Sequence, residues 1–304
     1  MQEFELLNRV FALNASLPPS VTLGPGDDMA ALQLATGTST ILVAADSAVE
    51  GVHTPLGGDA YDLGRKAVLR NLSDVAAMAN ARPLAVLACA MIPKGTEPAR
   101  IWRLFSGVRE TAMTWHAPLV GGDTTVVTDQ SALCVAVTIL ATRVDESAPI
   151  VTRANALAGD GVYVTGSIGG AWDRTTGLGR HLNFAPRLEV AQSLARLLGT
   201  RLHAMIDVSD GLAQDLAHIA RASAVTIDLE LARVPVAPGW EARLAVAHGE
   251  DYELAFTAVG EVPPLLEGVP ISRIGTVRAG AGALMLVEGD RSQPATDAGW
   301  EHAT

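Results

Sequence analysis

Short apolar runs alternate along this chain with longer stretches in which apolar positions recur every three or four residues. Phe4, Leu7, Val10 and Phe11 share one helical face, so residues 3–13 are predicted as a short amphipathic helix. Leu23-Gly24-Pro25-Gly26-Asp27-Asp28 is a turn-rich segment. Residues 41–45 form a buried-type strand that ends at Asp46, and 60–79 form a long helix with Asp74 inside it. Residues 84–91 are the next strand. Residues 98–114 are a helix with Trp102, Phe105 and Val108 on one face. Residues 118–120 run into a loop, Gly121-Gly122-Asp123, and 132–140 return as a strand. This β–α–β–α–β–β order is an α/β or α+β module.

The stretch 145–161 is polar and contains glycine, which sets the expected boundary between a first domain, 1–148, and a second, 149–304. The second opens with a strand at 162–165 and the flexible turn Gly166-Ser167-Ile168-Gly169-Gly170. Residues 187–198 and 212–222 read as helices; 225–231, 252–257, 271–277 and 283–287 read as strands. At 304 residues the chain can build two cores, and 49% hydrophobic against 18% charged residues marks it as well packed rather than disordered.

Five carboxylate stations stand out against this pattern: Asp27-Asp28, Asp46, Asp74, Asp123 and Asp207/Asp210. Four of them close an apolar run or sit in a glycine-rich turn after one. Ligands of α/β proteins bind in that setting, outside the carboxyl ends of strands. Gathered acids repel one another, so folding them together calls for cations. An all-oxygen ligand set suits Mg²⁺, which at few carboxylates is shared with substrate phosphates. The expectation is a magnesium–nucleotide enzyme.

Each motif by itself also has an ordinary structural account. Gly26-Asp27 is a common turn pair. Asp46 reads equally as a solvated loop acid, and His53 as a turn residue. Ser73 or Asp74 can start a helix segment as its N-cap, and so can Ser209 or Asp210. Gly121-Gly122 lets backbone N–H groups approach a phosphate, with Asp123 as a metal ligand. Several nucleotide and hydrolase signatures are absent: there is no Gly-x-x-x-x-Gly-Lys-[Ser/Thr], no Gly-x-Gly-x-x-Gly after a strand, no Gly-x-Ser-x-Gly and no His-Glu-x-x-His. A net charge of −11 argues against a nucleic-acid surface. Two cysteines, Cys89 and Cys134, exclude a disulfide framework. The start of the chain has no basic n-region, and the apolar stretch 84–92 is short of the ~18 residues of a membrane span, so a soluble cytoplasmic protein is expected.

Taken in order, the motifs resemble the thiamine-monophosphate kinase family, in the superfamily that includes aminoimidazole ribonucleotide synthetase. The resemblance runs nearly end to end. Its carriers are Gly26-Asp27-Asp28, Asp46 with Glu50-Gly51-Val52-His53, Asn71-Leu72-Ser73-Asp74-Val75-Ala76-Ala77-Met78, Gly121-Gly122-Asp123-Thr124, Asp207-Val208-Ser209-Asp210-Gly211-Leu212, Gly249-Glu250-Asp251-Tyr252-Glu253-Leu254 and Gly299-Trp300. It implies ATP-dependent phosphorylation of thiamine monophosphate to thiamine diphosphate by Mg²⁺-assisted in-line transfer. By the resemblance, Asp28, Asp46, Asp74, Asp123, Asp207 and Asp210 hold several Mg²⁺ ions, with Asp28, Asp74 and Asp210 central to catalysis. Gly122, Asp123, Arg153 and Ser209 contact ATP, with Phe105 stacked on the adenine. His53, Glu250 and Trp300 contact thiamine monophosphate. The implied fold has two domains, α/β (α+β): an N-terminal sheet-plus-helices module that forms a barrel-like interface in a homodimer, and a C-terminal α+β domain that completes the site. No nucleic acid or membrane is among the implied partners.

The implied chemistry suits the residues. The acceptor is a phosphate oxygen already ionised at neutral pH, so positioning and charge screening matter more than a strong base. A tryptophan face suits a cationic thiazolium through cation–π attraction of roughly 0.5–2 kcal/mol. Four positions depart from the family's pattern. Ala44-Ala45 precede Asp46 where a hydroxyl residue is usual, and Phe105 stands where a tyrosine is expected. Thr54 replaces the aromatic after His53, and His248 replaces the first glycine of Gly-Gly-Glu-Asp-Tyr-Glu-Leu; both bear on the acceptor. Two alternatives stay open: another ATP-dependent synthetase of the superfamily acting on a small phosphorylated substrate, and a non-catalytic nucleotide-binding homologue. A selenophosphate synthetase-like role lacks a cysteine near the N-terminal glycine turn.

Overall fold

The computed structural model describes residues 17–23, 26–33, 40–173 and 175–295. The helix expected at 3–13 and the candidate Trp300 lie outside the described residues.

The first sheet comprises β1 (Val21–Leu23), β2 (Ala30–Gln33), β3 (Thr40–Val49), β4 (Ala81–Pro93), β5 (Leu119–Val127) and β6 (Cys134–Arg143), in the order β1-β2-β3-β6-β4-β5. β6 lies antiparallel between β3 and β4. β4 and β5 pair in parallel, which requires a crossover, supplied by helix α2 (Pro98–Thr114). Helix α1 (Ala60–Ala77) packs on this sheet and on α2. The Asp59 side chain caps α1 by accepting the Tyr61 N–H at 2.9 Å. The two helices approach backbone to backbone at Gly64 and Gly107. A Cβ on Gly64 would stand 2.1 Å from the Leu104 carbonyl oxygen, so no side chain fits there.

The second sheet is built from β7 (Gly161–Thr165), β8 (Leu202–Asp207), β9 (Val225–Glu230), β10 (Leu254–Ala258), β12 (Val269–Ala279), β13 (Ala283–Glu288) and β14 (Arg291–Pro294). Its order is β14-β13-β9-β12-β7-β10-β8, with the short β11 (Leu265–Leu266) paired to β12. Helices α3 (Leu188–Leu198) and α4 (Leu212–Ser223) pack against it, and the single-turn α5 (Ala242–Ala245) follows. β7, β8 and β10 are buried on both faces. Met205, Tyr163 and Phe256 join the core that contains α1, whereas Ile206, Val164 and Ala255 join a second core with α4. The period of two along a strand divides these residues between two cores. Helix α1 is therefore buried almost all round, touching the first sheet on one side and α3 and β8 on the other.

Several expectations need correction. The barrel-like arrangement is not formed: the first sheet is open, ending on β1 and β5, and the first-to-last pairing that closure requires is absent among the described residues. β3 does not stop at Asp46 but continues to Val49, because β6 pairs with it along that whole length. Gly121-Gly122-Asp123 is not a loop but part of β5. Gly122 opposes Ala88 of β4 with φ 152°, and a Cβ there would stand 1.8 Å from the Ala88 carbonyl oxygen. Close strand approach is thus a sufficient reason for that glycine. Neither Ser73 nor Asp74 starts a helix; both lie within α1, four turns beyond its Asp59 cap by the 3.6-residue period. Gly211, not Ser209 or Asp210, occupies the N-cap position of α4.

Candidate active site

The site forms where α1 meets the end of β8. The helix carries Asp74, and β8 ends at Asp207. The turn before β2 adds Asp28. One oxygen from each of Asp28, Asp74 and Asp207 lies within 4.8 Å of the others. Burial, and then the charges of Asp46, Asp207 and Asp28, push Asp74 well above the usual carboxylate range. Burial and the Asp28 charge push Asp207 up to about 8. Three carboxyls gathered this closely, with only oxygen to offer, make a fitting nest for a hard divalent cation. Part of the charge is balanced within the chain. Arg153 forks onto Asp28 at 2.9 and 3.1 Å, and its backbone N–H donates to Asp27 at 2.9 Å. The Ser73 hydroxyl donates to Asp207 at 2.6 Å.

Asp46 sits beside this nest and forms an ion pair with Arg70 of α1 at 3.0 Å. Beyond β8 the chain turns through Ser209, Asp210 and Gly211. Their three backbone N–H groups donate to one buried oxygen of Asp215, at 3.1, 3.3 and 3.2 Å. That turn is knit to the segment 249–252. Glu250 N–H donates to the Ser209 carbonyl at 2.6 Å, and Tyr252 N–H to the Val208 carbonyl at 2.7 Å. Glu250 and Tyr252 hold positive φ, 69° and 51°, a conformation uncommon for residues with side chains and seen where surrounding structure forces it.

A cavity of about 460 Å³ opens beside the turn. Ser209 and Asp210 line it with Gly249, Glu250 and Tyr252; the segment from Gly51 to Leu56 and the residues Trp172, Thr175, Thr176 and Gly177 complete its lining. Glu50 holds the first of these segments in place, accepting the Gly57 N–H at 2.6 Å and pairing with Arg100 at 2.5 Å. His53 lines the cavity, and its Nδ1 accepts the Val49 N–H at 3.0 Å. Glu250 is held from behind by a fully buried lysine. Lys66 of α1 donates to the His53 carbonyl at 2.8 Å and to Glu250, and His181 meets the same Glu250 oxygen at 2.6 Å. Burial pulls Lys66 down to about 8. Burial acts to raise Glu250, but hydrogen bonds from His181 and the charge and hydrogen bond of Lys66 override it and hold the carboxyl well below its usual range. Glu250 is therefore a fixed anion in the cavity wall.

The other acids of the same motif serve the scaffold. Asp251 accepts from Arg180 at 2.6 Å and from the Gly169 N–H at 2.8 Å. Glu253 takes the Arg187 fork at 2.6 and 2.7 Å and the Thr165 hydroxyl at 2.6 Å.

Most of the residues expected at one site are brought together: Asp28, Asp74 and Asp207 as one nest, with Asp46, Arg153, Ser209, Asp210, His53 and Glu250 around it. Two are not. Asp123 is exposed on β5 and outside the three-carboxylate nest, and Gly122 is next to it on the same strand. Phe105 is half-buried in α2 and packs against the core rather than lining the cavity. Lys66, Arg70, His181 and Asp215 escaped sequence reasoning. A charged residue inside an apolar helix, as Lys66 and Arg70 are in α1, was the available signal.

The comparisons with known proteins agree with this geometry. Residues 26–142 match the N-terminal domain of AIR synthase related protein and residues 157–286 match its C-terminal domain. Fold and site thus define an AIR synthase related protein. A thiamine-monophosphate kinase of Bacillus subtilis is 31% identical, over 96% of this chain and 96% of its own. The crystal structure of thiamine-monophosphate kinase from Stenotrophomonas maltophilia K279a superposes with a TM-score of 0.70 at 30% identity, covering 93% of this chain and 96% of that one. The chain belongs to the thiamine-monophosphate kinase family. AaThiL complexed with AMPPCP and TMP shares the fold, with a TM-score of 0.80 at 23% identity over 99% of this chain and 97% of that one.

Proposed function

We propose that this chain is an ATP-dependent kinase that transfers the terminal phosphoryl group of ATP to thiamine monophosphate, giving thiamine diphosphate. The carrying observation is the nest of Asp28, Asp74 and Asp207, with β8 running from Asp207 into the Ser209–Asp210 turn that lines a cavity whose wall holds a fixed anion, Glu250. Its neighbours in the family are thiamine-monophosphate kinases, and one solved relative is complexed with AMPPCP and TMP.

Asp28, Asp74 and Asp207, with Asp46 and Asp210 close by, would hold Mg²⁺, which when bound would supply positive charge to screen the phosphate oxygens. The rest is done by the chain. Arg153 balances Asp27 and Asp28, which keeps this turn folded against the second half of the molecule. The turn Ser209–Gly211 is locked by Asp215, so Ser209 and Asp210 present a fixed edge to the nucleotide phosphates. Glu250 and His53 orient the acceptor, a cationic ring beside a carboxylate and its phosphate toward the nest. The acceptor oxygen arrives ionised, so no side chain has to take a proton from it. Asp123, Gly122, Phe105 and Trp300 remain part of this reading as contributors to nucleotide or acceptor binding when the substrates are bound. The same reading carries two domains, 1–148 and 149–304, a homodimer, and a cytoplasmic location where ATP is available. Among the described residues no helix is long and apolar enough to cross a membrane.

Purified protein supplied with ATP, Mg²⁺ and thiamine monophosphate should produce thiamine diphosphate. Asp74→Asn should lower kcat by at least about a hundredfold while the circular dichroism spectrum stays unchanged, because the lost charge acts on the transferring group. Wild-type protein that forms no product above background would overturn the proposal.

A further inference from the structure

Trp172 was assigned no role by the sequence, yet it lines the cavity. Its ring lies 5.7 Å from that of the buried His248, and His248 meets Trp240 edge-on at 4.5 Å and 70°. Trp240 in turn is nested on Gly169 and Gly170, where an added Cβ would stand 3.4 and 2.8 Å from its ring. The three rings form a row that runs from the cavity into the core. His248 is the position where the family resemblance leads one to expect glycine, and a glycine would leave Trp172 without this support.

Trp172 is held by the described residues on either side of it. Arg180 donates to the carbonyls of Ser167 and Gly169 at 3.1 and 3.0 Å and to Asp251 at 2.6 Å, which ties the two sides together. The Asp173 carboxylate accepts the N–H groups of Thr175 and Thr176, both at 2.8 Å. Gly179 passes so close that a Cβ would stand 2.7 Å from Trp172 Cα. The indole is therefore set in place before any ligand arrives, and Glu250 supplies a carboxylate in the same cavity. An ordered indole together with a fixed carboxylate is a receptor for a flat cation.

We propose that Trp172, backed by His248 and Trp240, is a specificity-determining residue for the acceptor: the aromatic wall that takes a cationic heteroaromatic ring, such as the thiazolium of thiamine monophosphate. The identity of that ring rests on the function proposed above; the wall itself rests on the geometry.

Full-length protein is titrated with thiamine monophosphate in the absence of ATP while tryptophan fluorescence is followed, and acceptor and ATP KM values are then measured with turnover. In a Trp300→Phe background, which removes the other indole assigned to the acceptor, the protein should show a saturable quench that Trp172→Phe abolishes and that a control at the exposed Trp102, Trp102→Phe, retains. Trp172→Ala should raise the acceptor KM by roughly tenfold with the ATP KM within about twofold, and Trp172→Phe should recover part of that loss. His248→Gly should shift the acceptor KM in the same direction, by less. A quench that survives Trp172→Phe in the Trp300→Phe background, or an acceptor KM that Trp172→Ala leaves unchanged, overturns the assignment. Failure of wild type to make thiamine diphosphate overturns the activity instead, and the titration without ATP still decides the wall.

Discussion

Removing divalent cations should make this protein less stable as the pH rises from acid to neutral, the reverse of ordinary acid denaturation. Asp207 ionises near pH 8 instead of its usual 3.8, because burial and the adjacent Asp28 disfavour its charge. The folded chain therefore keeps a proton that the unfolded chain has lost. A raised carboxyl contributes stability that is fully present below its unfolded value and lost as pH rises toward its folded one, so the window is about pH 4 to about pH 8. The roughly three units between 3.8 and neutral pH are worth on the order of 4 kcal/mol at about 1.4 kcal/mol each. For a chain of this size a kcal/mol moves Tm by about 2 °C, so chelated protein should melt roughly 8 °C lower near pH 7 than near pH 4. Asp27, raised to about 6 by burial and Asp28, and Asp251, raised to about 7 by burial, act in the same direction and outweigh His218, which burial lowers to about 3 and which opposes them below about pH 6.5. Mg²⁺ binds ionised carboxylates and competes with protons, so it should recover much of the loss near neutral pH and little in acid. Scanning calorimetry across this range, with chelator or with millimolar Mg²⁺, reads both effects, and Asp207→Asn should flatten the chelated curve. Chelated protein that is as stable near pH 7 as near pH 4, or a Mg²⁺ gain that is the same at both, would refute the reasoning.

Two further outcomes follow from the packing. Lys66→Met strips the cation from behind Glu250 and leaves a buried carboxylate with less compensation; denaturant melts should show a loss of about 3–5 kcal/mol. In the same variant the acceptor KM should rise while the ATP KM holds, and unchanged values for both would remove Lys66 as a positioning residue. Gly64→Val drives a side chain into the Leu104 carbonyl and should push α1 away from α2. Because α1 also carries Asp74, this variant should lose stability and Mg²⁺ response together, and a melt indistinguishable from wild type would contradict the close helix contact.

How much could be read in advance depends on the range of the physics involved. Helix α2 was readable to the residue, and β7, α3, α4 and β9 to within one position at an end, because periodicity, prolines and glycines act within a few residues of themselves. The acids of the site were readable too, since a carboxylate at the end of an apolar run stands out. Which acids meet was not. Asp28, Asp74 and Asp207 come from a turn, a helix interior and a strand end, and only the burial of α1 between the two halves brings them within 4.8 Å. Asp123 looked equivalent on the string, but it lies on a strand exposed over most of its length.

The sequence by itself determined the local elements, the supply of oxygen ligands and the family. Tertiary structure alone decided that Lys66 and His181, 115 positions apart, share one oxygen of Glu250, and that Arg153 reaches back 125 positions to Asp28. It also left the first sheet open where a barrel-like arrangement was expected. The reason is common to all three. Counter-charge, burial and strand closure are properties of neighbours in space, and a chain folded through two shared cores brings together residues whose spacing along the string carries no sign of it.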